Sequence, residues 1–182
     1  MPLPKLLPAA LCLVALSTVP VFSAGHDPAE IHIEREGGDP PVSYTLEQIR
    51  QDFPQHLIET ATPWSKDGES FQYRGPRLKD IVARNRIDNR SDIEVTAFDN
   101  YITKITNEEI DTYSPILAVE RACTQADRST GACSADQEFK PLSLDDGGPY
   151  YIIWPLERLP KSYLPARNSI WVWFVVKLRA AD

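Results

Sequence analysis

The sequence predicts an α+β domain rich in β-strand, and three observations carry this. Apolar and β-branched runs of strand length recur along the chain, separated by short helical segments. Those segments do not alternate strand by strand with helices, as the crossovers of a doubly wound parallel sheet require. The most hydrophobic run, "SIWVWFVVKL" (169–178), comes last and carries large residues on both faces, which places it centrally in a sheet.

Taken in order, "AEIHIERE" (29–36) alternates apolar and polar residues and reads as a first strand, followed by a "GGDPP" turn. In "YTLEQIRQDF", Thr45 stands three residues before Gln48, a capping box that opens a short helix. "HLIETAT" (56–62) reads as a strand, "PWSKDGES" (63–70) as a loop and "FQYRG" (71–75) as a short strand. Pro76 takes the first helical position of "PRLKDIVARN", where Leu78, Ile81 and Val82 share a face. "DIEVTAFD" (92–99) and "NYITKI" (100–105) make a hairpin with Asp99, Asn100 and Tyr101 at its tip. Thr106 and Glu109 form a second capping box. "PILAVE" (115–120) is a buried strand, then comes a polar cysteine loop, the acidic turn "DDGGP", and the strand "YYIIW" (150–154).

The N-terminus has a different character. Lys5 is the only charge in the first 26 residues. An apolar run from Leu6 to Val21 follows, interrupted by prolines, and then the small residues Ser23, Ala24 and Gly25. This layout predicts a signal peptide over 1–24 and one domain over 25–182, periplasmic or secreted, with no membrane span after cleavage. The leader has no Arg-Arg pair, so it is of the Sec type, and the leucine before Cys12 does not suit a lipoprotein site. Without Lys5 the chain keeps 18 basic residues against 26 acidic ones. That balance excludes a nucleic-acid footprint, which needs clustered Lys and Arg.

Cys123 and Cys133 remain after the leader. In an oxidising compartment they are expected to pair, adding about 2–3 kcal/mol on the chain-entropy model. A redox-active pair normally has the tighter C-x-x-C spacing. His26, His32 and His56 lack metal-ligand spacing, so no metal site is expected. Phosphate loops, nucleophile elbows and dinucleotide fingerprints are also absent. The acidic pairs 108–109 and 145–146 read as solvated, and Asn89 begins a glycosylation sequon that matters only in a eukaryotic host. Trp64, Arg74, Asp99, Tyr101 and Arg167 sit at loops and strand ends. Converging, they would wall a polar, aromatic pocket; otherwise the aromatics cap the sheet and the arginines pair with nearby acids.

Lined up, the segments "YRGPRLKDIVARN", "IEVTAFDNYITKITNEEIDTYSPILAVE", "KPLSLDDGGPYYIIWP" and "SIWVWFVVKL" show a known order. Over residues 42–178 the chain resembles the molybdopterin-binding domain of the sulfite oxidase family of oxidoreductases. The resemblance implies that family's mixed, strand-rich α+β fold and makes molybdopterin a possible cofactor. It also implies a candidate cleft containing Thr60, Thr62, Trp64, Arg74 and Asp99, together with Tyr101, Gly148, Tyr151 and Arg167. The departures are chemical. The family's cysteine ligand would fall within Glu59–Thr62, which contains no cysteine. The family's cofactor-side arginine is replaced by Tyr151, and its lysine before the last tryptophan by Ile170. An anionic pterin phosphate needs cationic donors, and a Sec-type leader delivers an unfolded, empty chain.

The expectation is therefore a module without molybdenum cofactor that binds a small ligand, or a periplasmic or membrane partner protein. One alternative is a molybdopterin-dependent oxidoreductase ligating its metal through Glu59, Thr60 or Thr62. Another is an accessory subunit of a redox or sensor system, docking through an exposed aromatic patch around Tyr150, Trp154 and Tyr163. Tyr150 and Tyr151 point to opposite faces of their strand, so only one of them can line the cleft.

Overall fold

In the computed structural model, which describes residues 27–35, 37 and 39–181, the alternation of Ile31 and Ile33 buries one face of the first strand, β1 (Glu30–Glu34). The predicted signal peptide (1–24) and His26 lie outside the described residues. A strand that the sequence reading took for turn and helix start, β2 (Val42–Thr45), pairs antiparallel with β1. Tyr44 makes it a strand: its ring is buried, and its hydroxyl donates to Asn85 Oδ1 at 3.2 Å. Then come α1 (Leu46–Asp52), with the Thr45–Gln48 capping box in place, and β3 (His56–Thr60). Next are β4 (Phe71–Gly75) and α2 (Leu78–Asn85). Pro76 is not the first helical residue; Arg77 is the N-cap. The Pro76 carbonyl instead accepts from the Leu117 amide at 2.9 Å, which keeps the chain extended.

The hairpin forms as expected from β5 (Asp92–Ala97) and β6 (Ile102–Thr106), and α3 (Asn107–Tyr113) begins at the Thr106–Glu109 capping box. The run 115–120 is two strands, β7 (Ile116–Ala118) and β8 (Glu120–Ala122). It breaks at Val119, whose amide donates to Arg74 O and whose carbonyl accepts from the Leu142 amide, so the chain passes from one sheet to another. The cysteine loop contains α4 (Gln125–Thr130), opened by a Thr124–Asp127 capping box. The expected Cys123–Cys133 disulfide is formed. β9 (Phe139–Pro141), β10 (Tyr151–Ile153) and β11 (Val175–Ala180) complete the described elements.

β11 lies at the middle of the sheet β2-β1-β11-β5-β6, parallel to β1 and antiparallel to β5. The central position was expected, but the strand starts six residues later than predicted. Residues 168–174 form a turn and an irregular segment, and Phe174 adopts a left-handed φ of 53°. Trp171 and Trp173 therefore leave the sheet faces and become available elsewhere. A second sheet runs β3-β4-β8-β9, and β10 pairs with β7. One hydrophobic cluster joins these sheets through Ile33, Ile81, Val95, Leu117, Ile152 and Leu178. Burial of this apolar surface is the main stabilising term.

The proposed patch of Tyr150, Trp154 and Tyr163 is not an exposed surface. Tyr150 and Trp154 are fully buried, and Tyr163 packs partly buried against the core. Tyr150 donates its hydroxyl to Ala29 O, and Trp154 donates Nε1–H to Ile170 O, both at 2.9 Å. Large amphipathic rings go inside when their one polar group finds a partner. Among the described residues, no helix is long and apolar enough to cross a membrane.

Candidate functional site

The ends of β4 and β10, the β5–β6 hairpin tip and the segments 61–70 and 168–173 surround a cleft of two chambers. These have volumes of about 330 Å³ and about 320 Å³ and share Trp64 and Trp173 as their common wall. The two indoles lie 4.6 Å apart at 54°. Trp64 is held there by its loop. The Thr62 amide donates to Ser65 Oγ at 2.8 Å, and the Trp64 amide donates to Thr62 Oγ1 at 3.3 Å.

The inner chamber has an aromatic wall. Phe71, Tyr73, Tyr151 and Trp173 follow one another with ring centroids 6.3, 6.4 and 6.1 Å apart, each pair edge to face. The acidic Gly-Gly turn makes this closeness possible. Gly147 has φ +82°, and a Cβ there would stand 3.0 Å from Trp173 Cβ and 3.1 Å from Tyr151 Cδ1. Gly148 presses against Leu142, where a Cβ would come within 2.3 Å. Of the two adjacent tyrosines, Tyr151 faces the chamber and Tyr150 faces the core.

Arg121 on β8 organises the chamber's charge. Its Nε donates to Asp146 Oδ1 at 2.5 Å, and Nη1 and Nη2 donate to Asp127 at 2.6 and 2.8 Å. Lys140 donates to Asp146 Oδ2 at 2.5 Å. Burial alone would raise the Asp146 pKa, but hydrogen bonds from Lys140, Ser143 and Arg121 outweigh it and hold the group at about 2. Hydrogen bonding from Arg121 likewise keeps Asp127 far below the usual carboxylate range. Burial pushes the Tyr73 phenol up to about 12 and raises that of Tyr151, so both rings are neutral hydroxyl donors. Asp146 and Glu109 are thus not the solvated carboxylates expected from their adjacent pairs. Glu109 is buried against Arg167.

The structure brings together Thr62, Trp64, Asp99, Tyr101 and Tyr151 of the expected cleft. It does not bring the other four residues. Thr60 is buried, with its hydroxyl donating to Ala61 O and accepting from the Leu156 amide. Arg74 is committed to Glu120 at 2.6 Å and lies over the Phe139 ring. Arg167 grips Glu109 at 2.8 and 2.7 Å. Gly148 supports the turn from behind. Trp171 and Trp173 were hidden inside an expected strand, where only the W-x-W spacing marked them, and Asn168, just before that strand, carried no signal. Arg121 carried no sequence signal.

A molybdopterin group does not fit these residues. No cysteine lines the chamber, and the two described cysteines are bonded to each other. Thr62, which lines the chamber, offers a hydroxyl and no thiolate. Three carboxylates (Glu69, Asp145 and Asp146) line the inner chamber against two cations, Lys66 and Arg121, and Arg121 is already engaged. A phosphate would meet net negative charge.

No protein-family model matches the chain, and no curated protein matches it. Among solved structures it is similar to the sulfane dehydrogenase SoxCD from Paracoccus pantotrophus, with 14% identity and a TM-score of 0.54. The match covers 86% of this chain and 39% of that one, so the chain spans well under half of its structural relative. At this identity the likeness is one of fold, and it agrees with the mixed, strand-rich α+β arrangement expected from the sulfite oxidase resemblance.

Proposed function

We propose that this chain is an exported, cofactor-free binding module that takes a small ligand into the two-chambered cleft. One observation carries the reading. The cleft is lined by aromatic rings and by an Arg121 already paired with Asp127 and Asp146, whereas a molybdopterin would need a thiolate and spare cations. The leader-like N-terminus supports a periplasmic or secreted location. The test is molybdenum and pterin content of the mature protein, purified from the exported fraction of molybdate-replete cells. The expected content is none in a folded, disulfide-bonded protein; stoichiometric cofactor overturns the reading.

The likeness to a sulfane dehydrogenase favours a second reading, a molybdopterin-dependent oxidoreductase with oxygen ligation. Of Glu59, Thr60 and Thr62, only Thr62 lines the chamber. Under that reading, Thr62→Ala would abolish metal content. The accessory-subunit reading finds support in Phe98 and Ile102, exposed apolar residues beside the cleft mouth, and would be tested by co-purification of a specific partner.

A further inference from the structure

The outer chamber differs from the inner one in chemistry. Its walls are mainly apolar, and three half-exposed rings open onto solvent: Trp64 at 47%, Tyr101 at 43% and Trp173 at 37%. Tyr101 is fixed by its own hydroxyl, which donates to Ser169 O at 3.3 Å, so its face and not its polar end is available. The 54° tilt between Trp64 and Trp173 stops them from covering one another. Three large aromatic surfaces left in water at one site mark a place for a partner molecule.

The charge at this site has one sign. Asp99 is the single charged residue lining the chamber. Its Oδ1 accepts from the Tyr101 amide at 3.0 Å, which fixes the carboxylate at the hairpin tip. Asp99 makes no ion pair among the described residues. Arg167, next in sequence to the lining residue Asn168, is turned away and held by Glu109. Asn168 adds a second polar feature. Its Oδ1 is buried and has no hydrogen-bond partner among the described residues. That oxygen is closed off from solvent, so it offers a ligand in the open chamber no hydrogen bond, and Asp99 remains the polar group that a ligand meets.

Aromatic faces are electronegative, and together with a carboxylate they attract cations and repel anions. We infer that the outer chamber binds a planar or compact organic cation. Its body would lie against Trp64, Trp173 and Tyr101, and its charge would sit beside Asp99. This rests on the proposed ligand-binding reading and names the ligand class for that cleft. The inner chamber, lined by three carboxylates and two cations, adds no attraction for an anion.

The experiment uses three probes of one shape: benzamidinium, benzamide and benzoate. Each is titrated into the folded, disulfide-bonded protein, following the indole N–H signals by two-dimensional NMR. Benzamidinium is expected to shift the Trp64, Trp171 and Trp173 signals and to bind about fivefold tighter than benzamide. Benzoate is expected to bind weakest. Asp99→Asn keeps the acceptor for the Tyr101 amide and is expected to bring benzamidinium down to the level of benzamide. Trp64→Ala is expected to weaken both. Equal binding of the three probes, a preference for benzoate, or an unchanged preference in Asp99→Asn overturns the cation assignment and leaves the binding reading standing. If no probe and no member of a fragment library of mixed charge shifts the cleft indoles, both fall.

Discussion

At the scale of single residues, Arg121 shows best how far a side chain's role depends on its surroundings. In sequence it is one basic residue before a cysteine. In the fold it bridges β8, α4 and the acidic turn, with its guanidinium held between two carboxylates and its side chain 12% exposed. An exposed ion pair of the same composition would contribute well under about 1 kcal/mol. Removing the cation here leaves two sequestered carboxylates with Lys140 as their one remaining cation. Arg121→Met is therefore expected to lower unfolding stability by about 3 kcal/mol or more, read from urea denaturation. Lys79→Met, breaking the solvent-exposed pair with Asp111, is expected to have almost no effect. Trp64, Asp99 and Tyr101, singled out in the sequence because aromatic and acidic side chains stood beside loop signals, line one chamber. Arg74 and Arg167 do not, because a cation's partner is chosen by the fold.

At the scale of elements, the local signals were the dependable ones. Both capping boxes that the sequence displayed, Thr45–Gln48 and Thr106–Glu109, start helices in the structure. The same signal at Thr124–Asp127 starts α4, although the segment reads as a polar loop. Elements defined by partners were missed: β2 needs β1, β9 needs β8, and the break at Val119 needs two sheets to separate. Gly75 belongs to this class. A Cβ there would lie 2.0 Å from the Leu117 carbonyl oxygen, a backbone atom that cannot rotate away. Gly75→Ala is thus expected to lower stability by about 3 kcal/mol, by forcing β4 from β7. Gly131→Ala faces open space at φ +79° and is expected to cost about 1 kcal/mol, from backbone strain alone. Thermal denaturation of the two variants checks the order.

At the scale of the molecule, depressed carboxylates tie stability to acid. Asp127, Asp146 and Glu109 all have pKa values lowered in the folded state. Unfolded carboxylates titrate near 4, so below that pH the unfolded chain binds more protons than the folded one. The stability these groups supply is present above about pH 4 and is lost as pH falls toward about 2, the value at which Asp146 itself titrates. The unfolding midpoint is expected to drop steeply across that window. Asp146→Asn is expected to be less stable at neutral pH and to show a shallower acid slope. A slope unchanged from the parent would show that Asp146 contributes nothing to acid unfolding.

By itself, the sequence determined the fold class, the short capped helices, the β5–β6 hairpin, the central place of the last strand and the Cys123–Cys133 pairing. These follow from periodicity, capping chemistry and loop closure, which act over a few residues or through total hydrophobicity. Tertiary structure alone decided that Tyr150 and Trp154 are buried, that Arg74 and Arg167 are withdrawn from the cleft, and that Trp173 crosses to meet Trp64. Those outcomes depend on which distant groups satisfy a ring's one polar atom or a guanidinium's charge. Such partners lie tens of residues apart and are brought together only by the sheets.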